Sequence, residues 1–222
     1  MKLKYWTSLK ICGLFGIIST IIFFIFIGLA IWLSPWFSWT DHFISDIAGS
    51  LGDRPIWAGR GIASILLNSG LILAGLVGII FAVMIEKIKL FQSYLGKIGI
   101  YVLFVDMSAL LGVGVFPITL GTIHYGLSIV LFCFIPICLY IIAHEIGELY
   151  GKKLWLILNF ILVISLIPAC ILIFLPNLVG LTKAIGEMVM LFSFYLTIII
   201  LGITLIKTTP SEKYLDTTQK TI

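Results

Sequence analysis

Long apolar runs occupy most of this 222-residue chain and decide what it can fold into. A helix needs about 20 consecutive apolar residues to cross the hydrocarbon core of a bilayer. Charged residues make up only 11% of the chain, whereas a soluble globular protein has about 25%. The sequence therefore predicts an all-α polytopic membrane protein, a bundle of six transmembrane helices that forms one domain over residues 1–222. The predicted helices lie at about 11–33, 57–85, 95–116, 122–143, 154–175 and 186–206.

The first apolar run follows three lysines, as a signal peptide does. It is longer than the apolar core of about 7–15 residues that signal peptides have. We therefore interpret residues 11–33 as the first membrane span.

Lysine and arginine residues are distributed unequally between the two sides of the predicted bundle. Cytoplasmic loops of membrane proteins are enriched in these residues. We therefore expect a protein of the cell membrane with both termini in the cytoplasm, and a polar, mobile cytoplasmic tail at 208–222. Eleven lysines fall on the side of the termini: Lys2, Lys4, Lys10, Lys87, Lys89, Lys97, Lys152, Lys153, Lys207, Lys213 and Lys220. Three basic residues fall on the other side: Arg54, Arg60 and Lys183.

The composition argues against two common kinds of site. The net charge of +4 is not gathered into a basic cluster with interleaved aromatic residues, so nucleic acid is not an expected partner. The four cysteines lie within apolar runs and form no CxxC pair. We interpret them as small packing residues.

Polar residues that fall in the outward-facing half of the predicted spans form a candidate binding site. Polar groups inside a membrane are costly, so their presence indicates a function or a packing role. Asp106 precedes Pro117 by eleven positions, which is about 16 Å along a helix axis and close to the bilayer midplane. A carboxylate at that depth must be protonated, paired or beside water. The candidate residues are Asp46, Arg60, Asn68, Asp106, His124 and Glu187.

The segment 34–56 is the longest link between spans, and we expect a short interfacial helix in it. Thr40 could cap this helix, and Gly49 or Gly52 could end it. His42 and Asp46 are four positions apart and could pair on one face. The segment would then lie as a lid over the outer mouth of the bundle.

Residues 144–148 read HEIGE, which is similar to the zinc motif HExxH. The second histidine of that motif is replaced by Glu148. Lys152 and Lys153 follow directly, as in an ordinary charged loop. We therefore favour a solvated helix end over a metal site for His144 and Glu145.

Three short motifs occur in the order SDIAG at 45–49, NSGL at 68–71 and GVGVFP at 112–117, and His124 follows them. Together they resemble the domain-of-unknown-function 998 family of six-helix prokaryotic membrane proteins, over about residues 10–206. The resemblance implies a six-helix architecture and no established activity. It gives weight to five positions: Asp46, Asn68, Asp106, Pro117 and His124.

A looser similarity is to membrane hydrolases of the ceramidase and adiponectin-receptor class, which carry Ser, Asp and three zinc-binding His. This chain has Asp106, Ser108 and His124 but no late HxxxH, and six predicted spans instead of seven. A zinc site implied by this similarity would therefore have a set of ligands different from the three histidines of that class.

Three functions follow as hypotheses. The first is binding of a membrane lipid or small amphiphile, with Arg60 and Lys183 facing an anionic head group. The second is a metal-dependent intramembrane hydrolase, in which a metal such as zinc, held by His124 and carboxylates such as Asp106, Asp46 or Glu187, activates water. His42 could complete the ligand set if its loop folds inward. The third is a structural or accessory subunit, whose partner is another membrane protein and whose polar groups fix helix packing.

Overall fold

The computed structural model describes residues 2–49, 60–174 and 183–207, with side chains left out at 2–4, 60 and 169–174. Within these residues the chain forms seven α-helices and one 3₁₀ turn, with no strand. This architecture confirms the all-α prediction. The helices are α1 (Lys2–Trp32), α2 (Ser45–Ala48), α3 (Arg60–Lys87), α4 (Tyr94–Val115), α5 (Thr122–Tyr150), α6 (Lys152–Phe174) and α7 (Lys183–Lys207), and the 3₁₀ turn (Ile118–Leu120) precedes α5.

The six long helices form a closed ring. Each packs against the next long helix in the chain, from α1 to α7, and α7 returns to pack against α1. Short connections make α3, α4, α5 and α6 successively antiparallel. The contacts of Ser19 with Ala74 and of Cys12 with Phe81 show that α1 and α3 are antiparallel as well. One end of the ring, which we call the α2 end, carries α2, the 3₁₀ turn and the start of α7. The other end, the terminal end, carries the start of α1 and the end of α7.

Five of the six long helices are long and apolar enough to cross a membrane: α1, α3, α4, α5 and α7. The remaining long helix, α6, has 23 residues, and its side chains are described as far as Pro168. The chain is therefore a multi-pass membrane protein, and the count of six spans stays a prediction.

Most helices extend past the predicted apolar runs. The clearest case is α5, which continues to Tyr150 instead of ending at 143. A helix satisfies its own backbone hydrogen bonds, so it does not have to end where hydrocarbon gives way to head groups.

Glycine allows α1 and α7 to cross closely, and this contact closes the ring. A Cβ atom placed on Gly13 would lie 2.5 Å from the backbone oxygen of Gly202, and one on Gly202 would lie 2.7 Å from the oxygen of Gly13. Real side chains do not reach such distances, so the two backbones touch only because both residues are glycine.

Small residues on α3 bring it close to both neighbours. Gly70 lies against the ring of Phe26 on α1, and Gly78 lies against Met107 on α4. Between them, the backbone oxygen of Ala74 accepts a hydrogen bond of 2.8 Å from Ser19 Oγ on α1.

Candidate binding cavity at the α2 end

The segment that contains α2 is fastened to the start of α7 by three hydrogen bonds. The amide of Ile44 donates to Glu187 Oε2 over 2.6 Å, and the amide of Ala184 donates to the His42 oxygen over 3.0 Å. Lys183 Nζ donates to the Asp41 oxygen over 2.7 Å. These bonds use backbone groups of the segment that no regular helix partner satisfies.

The same segment is fastened to α3 at its other end. The carbonyl of Ala48, the last residue of α2, accepts bonds from Ser64 Oγ at 2.5 Å and Asn68 Nδ2 at 3.1 Å. The last carbonyls of a helix have no partner within the helix, so this pair serves as its cap. Gly49 follows and packs against Ile118 of the 3₁₀ turn, where a side chain would collide.

Two predicted site residues therefore hold the α2 segment in place. Asn68 caps α2, and Asp46 Oδ2 accepts the amide of Phe43 at 2.8 Å. Asp46 does not pair with His42, whose Nδ1 instead accepts the amide of Ser38 at 3.1 Å.

The loop before α2 has its own hydrogen bonds. Helix α2 begins at Ser45 after Ile44, which makes no side-chain cap, so Thr40 is not the cap that the sequence predicted. Thr40 instead lies 3.1 Å from Ser38 Oγ. Ser38 Oγ donates to Asp41 Oδ2 over 2.6 Å, and this bond lowers the pKa of Asp41 below its usual value.

A cavity of about 350 Å³ lies beside the α2 segment, between α5 and α7. This volume falls within the range of about 300–1,000 Å³ that small-molecule sites occupy. Its described lining is mostly apolar, with a few polar groups. The lining residues are Phe43, Ser45, Ile118, His124, Tyr125, Ser128, Ile129, Phe132, Cys133, Glu187 and Met190.

Half of this lining comes from one face of α5. Tyr125, Ser128, Ile129, Phe132 and Cys133 follow each other at steps of three and one, the spacing of a single helix face. Tyr125 is 54% exposed and Ile129 is 63% exposed. The face therefore opens sideways, from the cavity toward the surroundings of the bundle.

Four ionisable side chains belong to the described lining: His124, Tyr125, Cys133 and Glu187. His124 is 1% exposed, and its Nδ1 lies 2.7 Å from the carbonyl oxygen of Phe116. A carbonyl can only accept, so Nδ1 carries a proton, and Nε2 is an acceptor when the ring carries no second proton. Glu187 uses Oε2 for Ile44, which leaves Oε1 as its acceptor for a ligand.

A smaller void of about 40 Å³ adjoins the cavity inside the ring. It shares four lining residues with the cavity: Ser45, Ser128, Phe132 and Glu187. Ile44 and Ala48 of the α2 segment also line it, and its inner lining includes Leu110 of α4. Glu187 thus lies between the lateral cavity and the centre of the bundle.

Asp106 lies apart from this cavity. Its side chain is fully buried, near the middle of α4 as its depth in the sequence predicts. Its polar neighbour on α5 is the thiol of Cys138, and neither carboxylate oxygen has a hydrogen bond of normal geometry. Cys138 is fourteen positions beyond His124 on α5, or about 21 Å along the axis. The structure therefore does not bring Asp106 and His124 together as a metal pair.

The remaining predicted residues have other places. The side chain of Arg60 is outside the described residues. Lys183 points to the Asp41 carbonyl and lies 5.8 Å from the centre of the Phe43 ring. Ser108, part of the hydrolase similarity, donates to the Phe104 carbonyl of its own helix over 2.7 Å.

A polar contact at the terminal end was missed by sequence reasoning. Glu145, from the HEIGE motif, is only 6% exposed, and its Oε1 accepts from Ser93 Oγ over 2.5 Å. Ser93 is the N-cap of α4 and accepts the amide of Gly96 at 2.7 Å. Glu145 therefore supports the start of α4. A serine just before an apolar run is a cap signal, and it could have indicated Ser93.

In the part of the chain that the structure describes, no group of three or more His, Cys, Asp or Glu side chains could hold a metal ion. The described residues therefore do not supply a set of ligands for the predicted zinc ion.

The family described as "Protein of unknown function (DUF998)" matches residues 17–204. No curated protein matches the chain, and no solved structure does.

Proposed function

The chain belongs to the DUF998 family, and we propose that this multi-pass membrane protein binds a lipid or small amphiphile in the cavity between α5 and α7. The observation that supports this proposal is the composition of the cavity lining. It places a buried His124 and a partly buried Glu187 at the α2 end of an otherwise mostly apolar space of about 350 Å³. A ligand with a polar head and an apolar tail matches such a lining.

The position of the cavity supports a ligand that comes from the membrane. Its α5 face exposes Tyr125, Ile129 and Cys133 to the outside of the bundle. The α2 segment is fastened to both α3 and α7, which favours entry from the side. The tail would lie along Ile129 and Phe132, and the head would reach Glu187.

We also propose that the protein lies in the cell membrane with both termini in the cytoplasm. The support is the basic-residue asymmetry of eleven against three, which would place the cavity in the outer half of the membrane. A tag after residue 222 is expected to resist protease added to intact cells and to be cut after the cells are permeabilised. Cutting in intact cells would contradict this orientation.

Photolabelling tests where the amphiphile binds. We expect a hexadecanol that carries a diazirine on its chain to label the α5 face at 125–133 in protein reconstituted in phosphatidylcholine, because the tail would lie there. An excess of unlabelled hexadecanol should remove most of this label, since a cavity is a saturable binding site. Peptide mass spectrometry measures both results.

The lipid-facing surface of α6 is the internal control. Phe160 is 68% exposed and Val163 is 57% exposed, and neither lines the cavity. Label there reports bulk membrane and should change little under competition. An equal loss of label from both helices, or none from either, would contradict a specific site. The metal-dependent hydrolase and the accessory subunit stay predictions from the sequence.

A further inference from the structure

The polar groups of the cavity also indicate which head group it takes, and this inference rests on the proposed function. We infer that the cavity prefers amphiphiles whose head is a hydrogen-bond donor, above all a primary ammonium, and discriminates against anionic heads. His124 and Glu187 each keep one side-chain atom for a ligand after their contacts with the protein.

Both side chains present acceptors to the cavity. The Nδ1 proton of His124 is used by the Phe116 carbonyl, so Nε2 is the ring nitrogen left for a ligand, and it accepts a hydrogen bond from a donor head. Glu187 Oε2 takes the Ile44 amide, so Oε1 accepts. An ammonium group has three donors and no acceptor, which complements this pair.

A carboxyl group, that of Glu187, lines the cavity, and none of the described lining residues is Lys or Arg. Asp46 is close enough to Glu187 to interact with it electrostatically. Lys183, which the sequence suggested for an anionic head, lies over the Phe43 ring, 5.8 Å from its centre, and donates to the Asp41 carbonyl. An anionic head would therefore meet a carboxyl group and no basic side chain among the described lining residues.

Aromatic side chains complete the setting for a cation. Tyr125 is in the lining, one residue after His124, whereas the Phe43 ring already has Lys183 Nζ 5.8 Å from its centre. A cation held against an aromatic ring gains electrostatic attraction from its face. A single-chain amine would thus find hydrogen-bond acceptors and the aromatic ring of Tyr125 in the cavity.

The test compares three ligands that share one tail and differ in the head. Hexadecylamine, hexadecanol and hexadecanoate compete with the diazirine probe for the α5 face of the full chain in phosphatidylcholine nanodiscs. We expect half-competition by the amine at a concentration about tenfold to a hundredfold below that of hexadecanoate, the range for a charge-assisted hydrogen bond.

Glu187→Gln is the variant that isolates the charge. The amide oxygen of glutamine can still accept from Ile44, so the α2 segment keeps its fastening. We expect the preference for amine over hexadecanoate to fall to about threefold or less, with competition by hexadecanol little changed. Glu148→Gln makes the same charge change at an exposed position of α5 at the terminal end, and should keep the full preference.

A second variant covers the case in which Glu187→Gln does not fold. His124→Asn keeps a donor for the Phe116 carbonyl and removes Nε2, so the preference should fall by a smaller factor. Equal or better competition by hexadecanoate in the natural chain would overturn the inference and leave amphiphile binding intact. Competition by none of the three ligands would overturn the proposed function itself.

Discussion

Replacing Gly13 by alanine is expected to lower the free energy of unfolding by about 1–3 kcal/mol, the usual cost of forcing an extra group into a packed interior. The new Cβ would lie 2.5 Å from the backbone oxygen of Gly202. Because that neighbour is backbone, relief requires α1 and α7 to move apart. Gly202→Ala should have a similar effect, since its Cβ would meet the oxygen of Gly13 at 2.7 Å.

Gly28→Ala is the matched control on the same helix. Gly28 is exposed, and a Cβ there would have no heavy atom within 4 Å. Alanine is favoured over glycine inside a helix by up to about 1 kcal/mol, so this variant should equal the natural chain or exceed it. Reversible unfolding in mixed detergent micelles measures all three variants. Equal stability of Gly13→Ala and Gly28→Ala would show that α1 and α7 do not cross at this point.

The sequence could predict the class of fold because the bilayer demands long apolar runs. It could not predict the ring. Helices such as α4 and α5 are apolar on nearly every side, so the sequence does not show which side of a helix packs against which other helix. The contact of Gly13 with Gly202 joins the two ends of the chain, and no local pattern indicates such a distant pair.

The candidate site was predicted from polarity and depth, and these features do not distinguish a ligand contact from a structural one. Asn68 and Asp46 are polar in an apolar setting because the α2 segment has backbone groups to satisfy. His124 and Asp106 were grouped by their half of the membrane, although their helix positions already separated them in depth. The cavity-lining residues from Tyr125 to Cys133 have the spacing of one helix face. This face can be recognised as part of a site only once the position of the cavity is known.

Cys133→Trp tests whether an amphiphile occupies the cavity between α5 and α7. Cys133 is exposed and lines the cavity, so an indole there would occupy the space of a tail. Ile137→Trp is the control. Ile137 is one turn further along α5 and 45% exposed, and it is not among the described lining residues.

Native mass spectrometry of protein released from lipid nanodiscs counts the bound molecules. We expect one retained amphiphile on the natural chain and on Ile137→Trp. On Cys133→Trp we expect the fraction of protein with bound amphiphile to be at least tenfold lower, while all three proteins are equally stable. Retention of the same mass by Cys133→Trp, or no retained mass on any of them, would contradict the cavity as a binding site.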